Sequence, residues 1–291
     1  MFSIKKWFGF YFRNDWVKAT GLVLLGFVGG SSPSIIQNLN SFGVYLNLVA
    51  GSLLLCYARI LNDYFDAKID REENHITPFT NKYKNVLILF LLHLPLIIAC
   101  CIFYVTTPNL YASIAFGLFV FFATTYSIPK IRIRNKPVLG FLWNPFLALS
   151  IFAGSFLTYS KVNYEFLILA VGISLFYFFS EILHQLDHYK NDKQKGRKTI
   201  ATKDGIESVL SHLKRSKYLT IPLFIVWVCL LIFKSQLLIL YSIMFITNIW
   251  RIIRLNKDIT DSSFKRLRTK IGGKMEIVLY IIYFTILPLL S

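Results

Sequence analysis

Charged residues are scarce in this chain of 291 residues. Asp, Glu, Lys and Arg together make up 16% of the sequence, against roughly 25% in an average globular protein. Hydrophobic residues make up 55%, and the mean hydropathy is +0.54. The low charge combined with this apolar excess excludes a disordered chain and also an ordinary soluble domain. The composition therefore predicts a polytopic membrane protein, and one that is all-α because unsatisfied backbone groups are too costly in lipid.

Cysteine is equally scarce, and its distribution excludes two further classes of protein. The four cysteines all lie in apolar runs, and none has zinc-finger or CxxC spacing. A disulfide framework or a cysteine-bound zinc site is therefore not predicted. We expect buried, unreactive thiols at these positions, which are Cys56, Cys100, Cys101 and Cys229.

Long apolar stretches dominate what is present. Nine of them are candidates to cross roughly 30 Å of hydrocarbon. The predicted spans are 17–36, 41–61, 85–106, 109–127, 138–159, 164–186, 218–233, 235–250 and 275–290. Residues 1–16 mix aromatic and basic side chains, which is typical of a helix lying on the bilayer surface. The expected organisation is this interfacial segment followed by a single transmembrane domain, 17–291, whose helices form one bundle.

The basic residues indicate how such a bundle is oriented. If the N-terminus is cytoplasmic and the spans alternate, 30 of the 32 Lys and Arg residues fall on the cytoplasmic side. Only Lys161 and Lys234 fall outside. This bias follows the positive-inside rule and predicts a cytoplasmic N-terminus. It also accounts for the net charge of +17 without nucleic acid as a partner.

Acidic residues are few, and eight of the 15 lie in two clusters at predicted cytoplasmic helix ends. In the first cluster Asn62, Asp66 and Asp70 follow each other at intervals of four, so a helix would place them on one face. Such oxygen-bearing side chains repel each other unless a cation lies between them, and they select Mg²⁺ or Ca²⁺. The alternative for this cluster alone is a solvated helix end, with the carboxylates paired to Lys68 and Arg71.

The second cluster runs from Glu181 to Thr199 and alternates acids with bases. Glu181 lies inside an apolar run, where an ionisable group usually faces a polar cavity. The mixture of Asp187 and Asp192 with basic residues is expected where a metal-bound diphosphate needs both ligands and charge clamps. Because the two clusters lie four helices apart on the same side, they suggest an internal pseudo-repeat converging on one cavity.

The first cluster carries a family resemblance. The pattern Asn62-x3-Asp66-x3-Asp70, followed by Arg71 and Asn74, resembles the first aspartate-rich motif of the UbiA family of intramembrane prenyltransferases. The stretch NDYFDAKID is most similar to the menaquinone and chlorophyll-synthase branches of that family.

Two further segments extend this resemblance over nearly the whole chain. Residues 126–140, YSIPKIRIRNKPVLG, are similar to the family's loop after the fourth helix. Asp192-x3-Gly196-x2-Thr199 resembles the end of the second motif. The nine predicted spans and the cytoplasmic N-terminus also match the family's architecture.

The resemblance implies transfer of an isoprenyl chain from a prenyl diphosphate to a small, often aromatic acceptor, with Mg²⁺ as cofactor. It implies a multi-pass membrane protein with its active site toward the cytoplasm. The Lys-, Ile- and Asn-rich composition hints at an AT-rich bacterium, so we expect the inner membrane of a bacterial cell. Asp66, Asp70 and Asp192 are then the expected catalytic acids. The implied metal ligands are Asn62, Asp66, Asp70, Asp187 and Asp192. The implied substrate-binding residues are Tyr126, Lys130, Arg132, Lys190, Arg197 and Lys198.

One position departs from the family pattern. The second motif commonly carries an acid four residues before its final aspartate, and here His188 occupies that position, with Asp187 one place earlier. Either Asp187 replaces the missing carboxylate through a local helix distortion, or this half of the site binds metal through fewer carboxylates. In the second case His188 could act as a hydrogen-bond donor or cation toward the diphosphate. We favour Asp187.

Two other functions are compatible with the composition. A cation-coupled transporter would carry acids near the bilayer midplane and helices broken by Gly or Pro in both halves. The acids here lie mostly near cytoplasmic helix ends, which disfavours it. A non-catalytic, lipid-binding member of the same family is the second alternative, and His188 favours it.

Overall fold

The structure is a computed structural model, and it describes residues 22–23, 26–27, 29–30, 42–72, 86–106, 109–194 and 196–211. The regular secondary structure of these residues is helical throughout, with no strand among them. The predicted all-α class is therefore confirmed for the described part of the chain. The predicted segment 1–16 and the predicted spans 218–233, 235–250 and 275–290 lie outside it.

Five long helices and two short ones carry the described residues. They are α1 (Phe42–Glu72), α2 (Val86–Thr106), α3 (Leu110–Ser127), α4 (Pro137–Tyr159), α5 (Tyr164–Asp187), α6 (Tyr189–Gln194) and α7 (Ile200–Asp204), with a 3₁₀ turn at Ile133–Asn135 and a further helical stretch at 206–211. Helices α2 to α5 agree with the predicted spans to within a residue. Helix α1 differs, because it continues past residue 61 to Glu72. The first acidic cluster therefore lies on the helix itself and not beyond its end.

Several of these helices are long and apolar enough to cross a membrane. By length and composition, three described stretches qualify: Tyr45–Ala67, Leu110–Ser127 and Pro137–Tyr159. Two shorter apolar stretches are His93–Thr106 and Tyr164–Ser174. These helices agree with the membrane class predicted from composition.

Local sequence signals explain where the helices begin and end. The Asn109 side chain accepts a hydrogen bond from the backbone N–H of Tyr111 and caps the start of α3. Helix α3 stops before Pro129, because the residue preceding a proline is disfavoured in helical conformation. Pro137 opens α4, where a residue without an N–H costs nothing.

The described helices form two compact units. The first unit contains the described residues up to Ile133 together with Ser150–Lys161. The second unit contains Arg134–Leu149 together with the described residues from Val162 onward. Each unit therefore carries one of the two acidic clusters.

Glycines in the first unit allow a helical segment to lie directly against α4. A Cβ on Gly26 would come within 2.6 Å of the carbonyl oxygen of Phe152, and a Cβ on Gly30 would overlap the backbone of Phe156. Small residues four apart commonly permit such close backbone approach between membrane helices. Larger residues at either position would force the two helices apart.

Apolar and polar contacts fix α1 within the first unit. Its buried residues Cys56, Tyr57, Ile60 and Leu61 pack with Leu96 of α2 and Val120 of α3.

Near the start of α1, Asn47 donates a hydrogen bond to the Tyr159 hydroxyl at 2.6 Å and accepts one from Thr106. Asp66 lies about 28 Å further along the helix axis. The first acidic cluster is therefore at the end of α1 away from this polar cluster.

The second unit is organised by an apolar cluster around the end of α5. The cluster joins α4, α5, α7 and the stretch 206–211. Its buried members are Phe141, Ile182, Leu186, Ala201, Val209 and Leu210. This packing folds the chain after α5 back onto that helix and so places the second acidic cluster beside its end.

Candidate active site

Asp66 is the centre of the first cluster. It lies on α1 and is only 7% exposed. Its Oδ1 forms an ion pair with Nη2 of Arg132 at 3.0 Å, and its Oδ2 accepts a long hydrogen bond from Asn62 Nδ2 at 3.4 Å. The helix explains the second contact, because residues four apart lie one turn from each other on the same face. The first contact is made by tertiary packing between α1 and the loop after α3.

Asn62 links the acid to the end of α3. While its amide nitrogen faces Asp66, its Oδ1 lies 3.5 Å from Oγ of Ser127, at the long limit of a hydrogen bond. Ser127 is buried and was not among the predicted site residues. Its place in the YSIP segment is the signal that could have indicated it.

Arg132 reaches Asp66 through an unusual backbone conformation. After α3 the chain turns, and the Ile128 carbonyl accepts hydrogen bonds from the N–H groups of Ile131 and Arg132. Arg132 has a φ of 37°, in the left-handed region, which costs an L-residue roughly 1–2 kcal/mol. Its Nε is buried and has no hydrogen-bond partner among the described residues. A strained residue with a spare buried donor is typical of a site that binds an anion.

The other predicted residues of the first unit lie around this pair. Asp70 is one turn beyond Asp66 on α1. Tyr126 is on the last turn of α3 and is half-buried. Lys130 is exposed in the loop between α3 and the 3₁₀ turn.

Asp192 is the buried acid of the second unit. It lies on α6 and is 5% exposed. Its Oδ1 pairs with Nη1 of Arg197 at 3.2 Å, and its backbone carbonyl accepts from the N–H of Arg197 at 2.8 Å. Gly196, with a φ of +63°, forms the intervening turn in a conformation that favours glycine. Two further basic residues, Lys190 on α6 and Lys198 after the turn, are exposed.

The chain is distorted at the position that departs from the family pattern. Helix α5 ends at Asp187, and His188 caps it with φ −95° and ψ 2°. The His188 ring lies edge-on to the His184 ring, with centroids 4.6 Å apart. The regular helix thus ends between Asp187 and His188. The roles of Asp187 and His188 stay predictions.

Glu181 has partners that sequence reasoning missed. Its Oε2 accepts a hydrogen bond from Nδ2 of Asn144 at 2.6 Å, and its Oε1 accepts from Nε2 of Gln185 at 3.2 Å. Gln185 in turn accepts a hydrogen bond from the backbone N–H of Ile200. The i, i+4 spacing of two polar residues in an apolar run was the available signal for Gln185. Asn144 had no comparable signal.

The two units thus repeat one arrangement. In each, a buried aspartate is paired with an arginine of a loop, and exposed lysines lie nearby. Among the described residues no three His, Cys, Asp or Glu side chains converge on one point. Each cluster contains both acidic and basic side chains.

A comparison with protein families identifies the class to which this arrangement belongs. Residues 19–272 match the UbiA prenyltransferase family, so the chain belongs to that family. The predicted family is confirmed, and the chain is a prenyltransferase by class. Members of the family are integral membrane proteins, in agreement with the apolar helices described above. No curated protein sequence matches the chain.

Solved structures show the same fold at low sequence identity. A UbiA homologue from Archaeoglobus fulgidus bound to Cd²⁺ superposes with a TM-score of 0.74 at 17% identity, covering 96% of this chain and 97% of that one. The same homologue bound to GPP and Mg²⁺ gives a TM-score of 0.71 at 15% identity, with 94% and 96% covered. A structure from work on digeranylgeranylglyceryl phosphate synthase in membranes gives 0.70 at 18% identity, with 96% and 97% covered.

Proposed function

We propose that this protein catalyses Mg²⁺-dependent transfer of an isoprenyl chain from a prenyl diphosphate to a small acceptor within the membrane. The observation that carries the proposal is the buried aspartate in each unit, paired with an arginine of a loop. A metal-bound diphosphate needs both kinds of group, since carboxylates bind the metal and guanidinium groups bind phosphate oxygens. The homologue structures bound to GPP or to DMAPP with Mg²⁺ support this class of donor.

The residues of the first unit fit a magnesium ion. Asp66 and Asp70 would supply carboxylate oxygens, which are the hard ligands that Mg²⁺ prefers. Asn62 would supply a neutral oxygen once its amide, whose nitrogen faces Asp66 in this structure, is turned over. Asp187 and Asp192 are the proposed ligands in the second unit. When bound, Mg²⁺ supplies charge neutralisation for the departing diphosphate.

The basic residues of both loops are the proposed binding groups for the diphosphate. Arg132 and Arg197 can bind two oxygens at once, whereas a lysine acts as a mobile point charge. The buried Nε of Arg132 is a donor available for an anion. The proposed set also contains Tyr126, Lys130, Lys190 and Lys198.

The apolar helices give the isoprenyl tail a place to lie, which is a physical reason for a membrane location. Because the bias of basic residues favours a cytoplasmic N-terminus, we place both acidic clusters at the cytoplasmic face of a bacterial inner membrane. Nine spans in a single domain, 17–291, complete the proposed architecture.

The direct test is product formation by the purified protein in detergent. Geranyl diphosphate is supplied with Mg²⁺ or with EDTA, together with hydroxybenzoate, a menaquinone precursor, a tetrapyrrole or a glycerol phosphate. Diphosphate release and the mass of the prenylated product are measured. We expect release that needs both Mg²⁺ and one of the acceptors. Donor binding without release under any condition would support the non-catalytic alternative.

The acceptor can also be identified in the cell. Deleting the gene should remove one class of prenylated lipid, and mass spectrometry of total lipids would show which. Aromatic acceptors are the first class to examine, and an unchanged lipid profile would contradict the proposed reaction.

A further inference from the structure

A chain of hydrogen-bonded amide and carboxylate groups runs through the second unit toward the basic loop. It begins at Asn144 on α4, passes through Glu181 and Gln185 on α5, and ends at the backbone N–H of Ile200, the first residue of α7. Glu181 is 9% exposed and Gln185 is 6% exposed. Buried polar groups of this kind are costly unless satisfied, so the connected chain has one favoured arrangement.

The carboxylate of Glu181 fixes which way the Gln185 amide points. A carboxylate only accepts hydrogen bonds, so the NH₂ group of Gln185 must face it. The amide oxygen is then directed at Ile200, whose N–H lies 3.1 Å away. This N–H is at the start of a helix, where no intrahelical partner exists. The side chain of Gln185, which lies on α5, therefore binds the first residue of α7.

The chain between Gln185 and Ile200 contains the basic residues of the second cluster. Within it, Arg197 contacts Asp192 through both its side chain and its backbone. Thr199 caps α7 through a reciprocal pair of hydrogen bonds with Thr202. These local contacts shape the loop, and the bond to Gln185 ties its end to the long helix α5 through a polar group of defined direction.

We infer that Gln185, oriented by Glu181, is a positioning residue that holds the loop 196–199 so that Arg197 and Lys198 are placed to bind the diphosphate. The inference rests on the proposed function and adds Glu181 and Gln185 as residues that hold the binding groups in position. The apolar cluster already packs α7 against α5. The amide adds a fixed register for the loop, which packing of Ile and Leu side chains alone does not impose.

The first test replaces the amide by an apolar side chain of similar size, Gln185→Leu. We expect the KM for geranyl diphosphate to rise roughly 10-fold, with kcat changed less than about 2-fold. A roughly 10-fold rise is the low end of the effect of removing a residue that orients ligand groups. Trypsin should also cleave the loop faster, at Arg197 or Lys198. The matched control is Gln194→Leu, the same change at an exposed residue of α6, which should alter neither quantity.

The second test moves the carboxylate from position 181 to position 144 and keeps the hydrogen bonds that join positions 144, 181 and 185. Asn144→Asp alone places two carboxylates in contact and should increase tryptic cleavage of the loop strongly. Adding Glu181→Gln places an amide at position 181, which donates a hydrogen bond to the carboxylate at position 144 and accepts one from Gln185. The double variant should therefore recover the slow cleavage and the low KM. Such recovery is not expected if Asn144→Asp alone merely fails to fold.

The outcomes separate this inference from the proposed function. Wild-type cleavage and wild-type KM in Gln185→Leu, or no recovery in the double variant, would overturn the positioning role. Cleavage of the wild-type loop that geranyl diphosphate with Mg²⁺ does not slow would instead count against the proposed function. Faster cleavage of Gln185→Leu without donor would in that case still support the link between Gln185 and the loop.

Discussion

The two acidic clusters hold their buried aspartates in different ways. In the first, Asp66 lies on an uninterrupted helix of 31 residues, and its arginine comes from a loop 66 positions away. In the second, Asp192 lies on a helix of six residues after a break, and its arginine is five positions away. The first site is regular in sequence but depends on tertiary packing, whereas the second is irregular and closes locally.

This difference has a consequence for ligand binding. The regular spacing of Asn62, Asp66 and Asp70 offers three oxygen ligands on one helix face. The second cluster has lost the corresponding acid at His188 and relies on its loop, which Gln185 anchors. We therefore expect the first cluster to contribute more to binding the metal and the second more to holding the phosphate.

The largest expected effect distinguishes the two acids. Asp66→Asn should lower turnover at least roughly 100-fold, since it removes a metal ligand worth several kcal/mol. Asp192→Asn should lower it less, on the order of 10-fold. Rates are measured with geranyl diphosphate at saturating Mg²⁺, with thermal unfolding to confirm folding.

The matched control for these two variants is Asp204→Asn, an exposed acid on α7, which should behave as wild type. Equal losses in Asp66→Asn and Asp192→Asn would remove the proposed division of labour. Wild-type turnover in Asp66→Asn would refute the metal assignment.

The next prediction concerns the break at the end of α5. If Asp187 supplies the missing carboxylate, Asp187→Ala should be nearly as damaging as Asp192→Ala, and His188→Asp should be tolerated or improve use of Mg²⁺. If His188 acts on the diphosphate, activity should instead depend on pH near ~6.5, and His188→Asp should be harmful. Rates of both variants across Mg²⁺ concentration decide between them. Two inert substitutions would mean that this cluster binds no metal.

A smaller effect is expected from the arginines. Arg132→Gln and Arg197→Gln should each raise the KM for the donor roughly 10-fold, because each loses a charged hydrogen-bond donor to phosphate. Only Arg132→Gln should also lower the unfolding temperature, since its ion pair joins α1 to a distant loop. A matching loss of stability in Arg197→Gln would show that the second pair is not merely local.

The smallest effect is predicted at Ser127. Its contact with Asn62 is 3.5 Å long, so Ser127→Ala should change turnover less than about 2-fold. Ser113→Ala, an exposed position on the same helix, is the control. A loss above 10-fold would show that Ser127 contacts substrate and that the first cluster extends onto α3.

Much of the architecture could be predicted because the bilayer imposes a length on apolar runs. Helices α2 to α5 begin and end where hydropathy, proline and asparagine caps indicate. The end of α1 was underestimated, because hydropathy reports where lipid contact stops and not where helical hydrogen bonds stop. Residues 62–72 are more polar than the preceding span, yet they contain no Gly or Pro that would end the helix.

The sequence by itself determined the membrane class, the family resemblance and the two aspartates, since apolar composition and helical spacing are properties of neighbouring residues. Only the tertiary structure decided that Arg132 pairs with Asp66, that Asn144 and Gln185 meet at Glu181, and that Gln185 reaches Ile200. Most of these contacts join residues far apart in the chain, and each also requires a particular side-chain direction. That direction follows from how the helices pack and how the loops turn, and no local pattern encodes it.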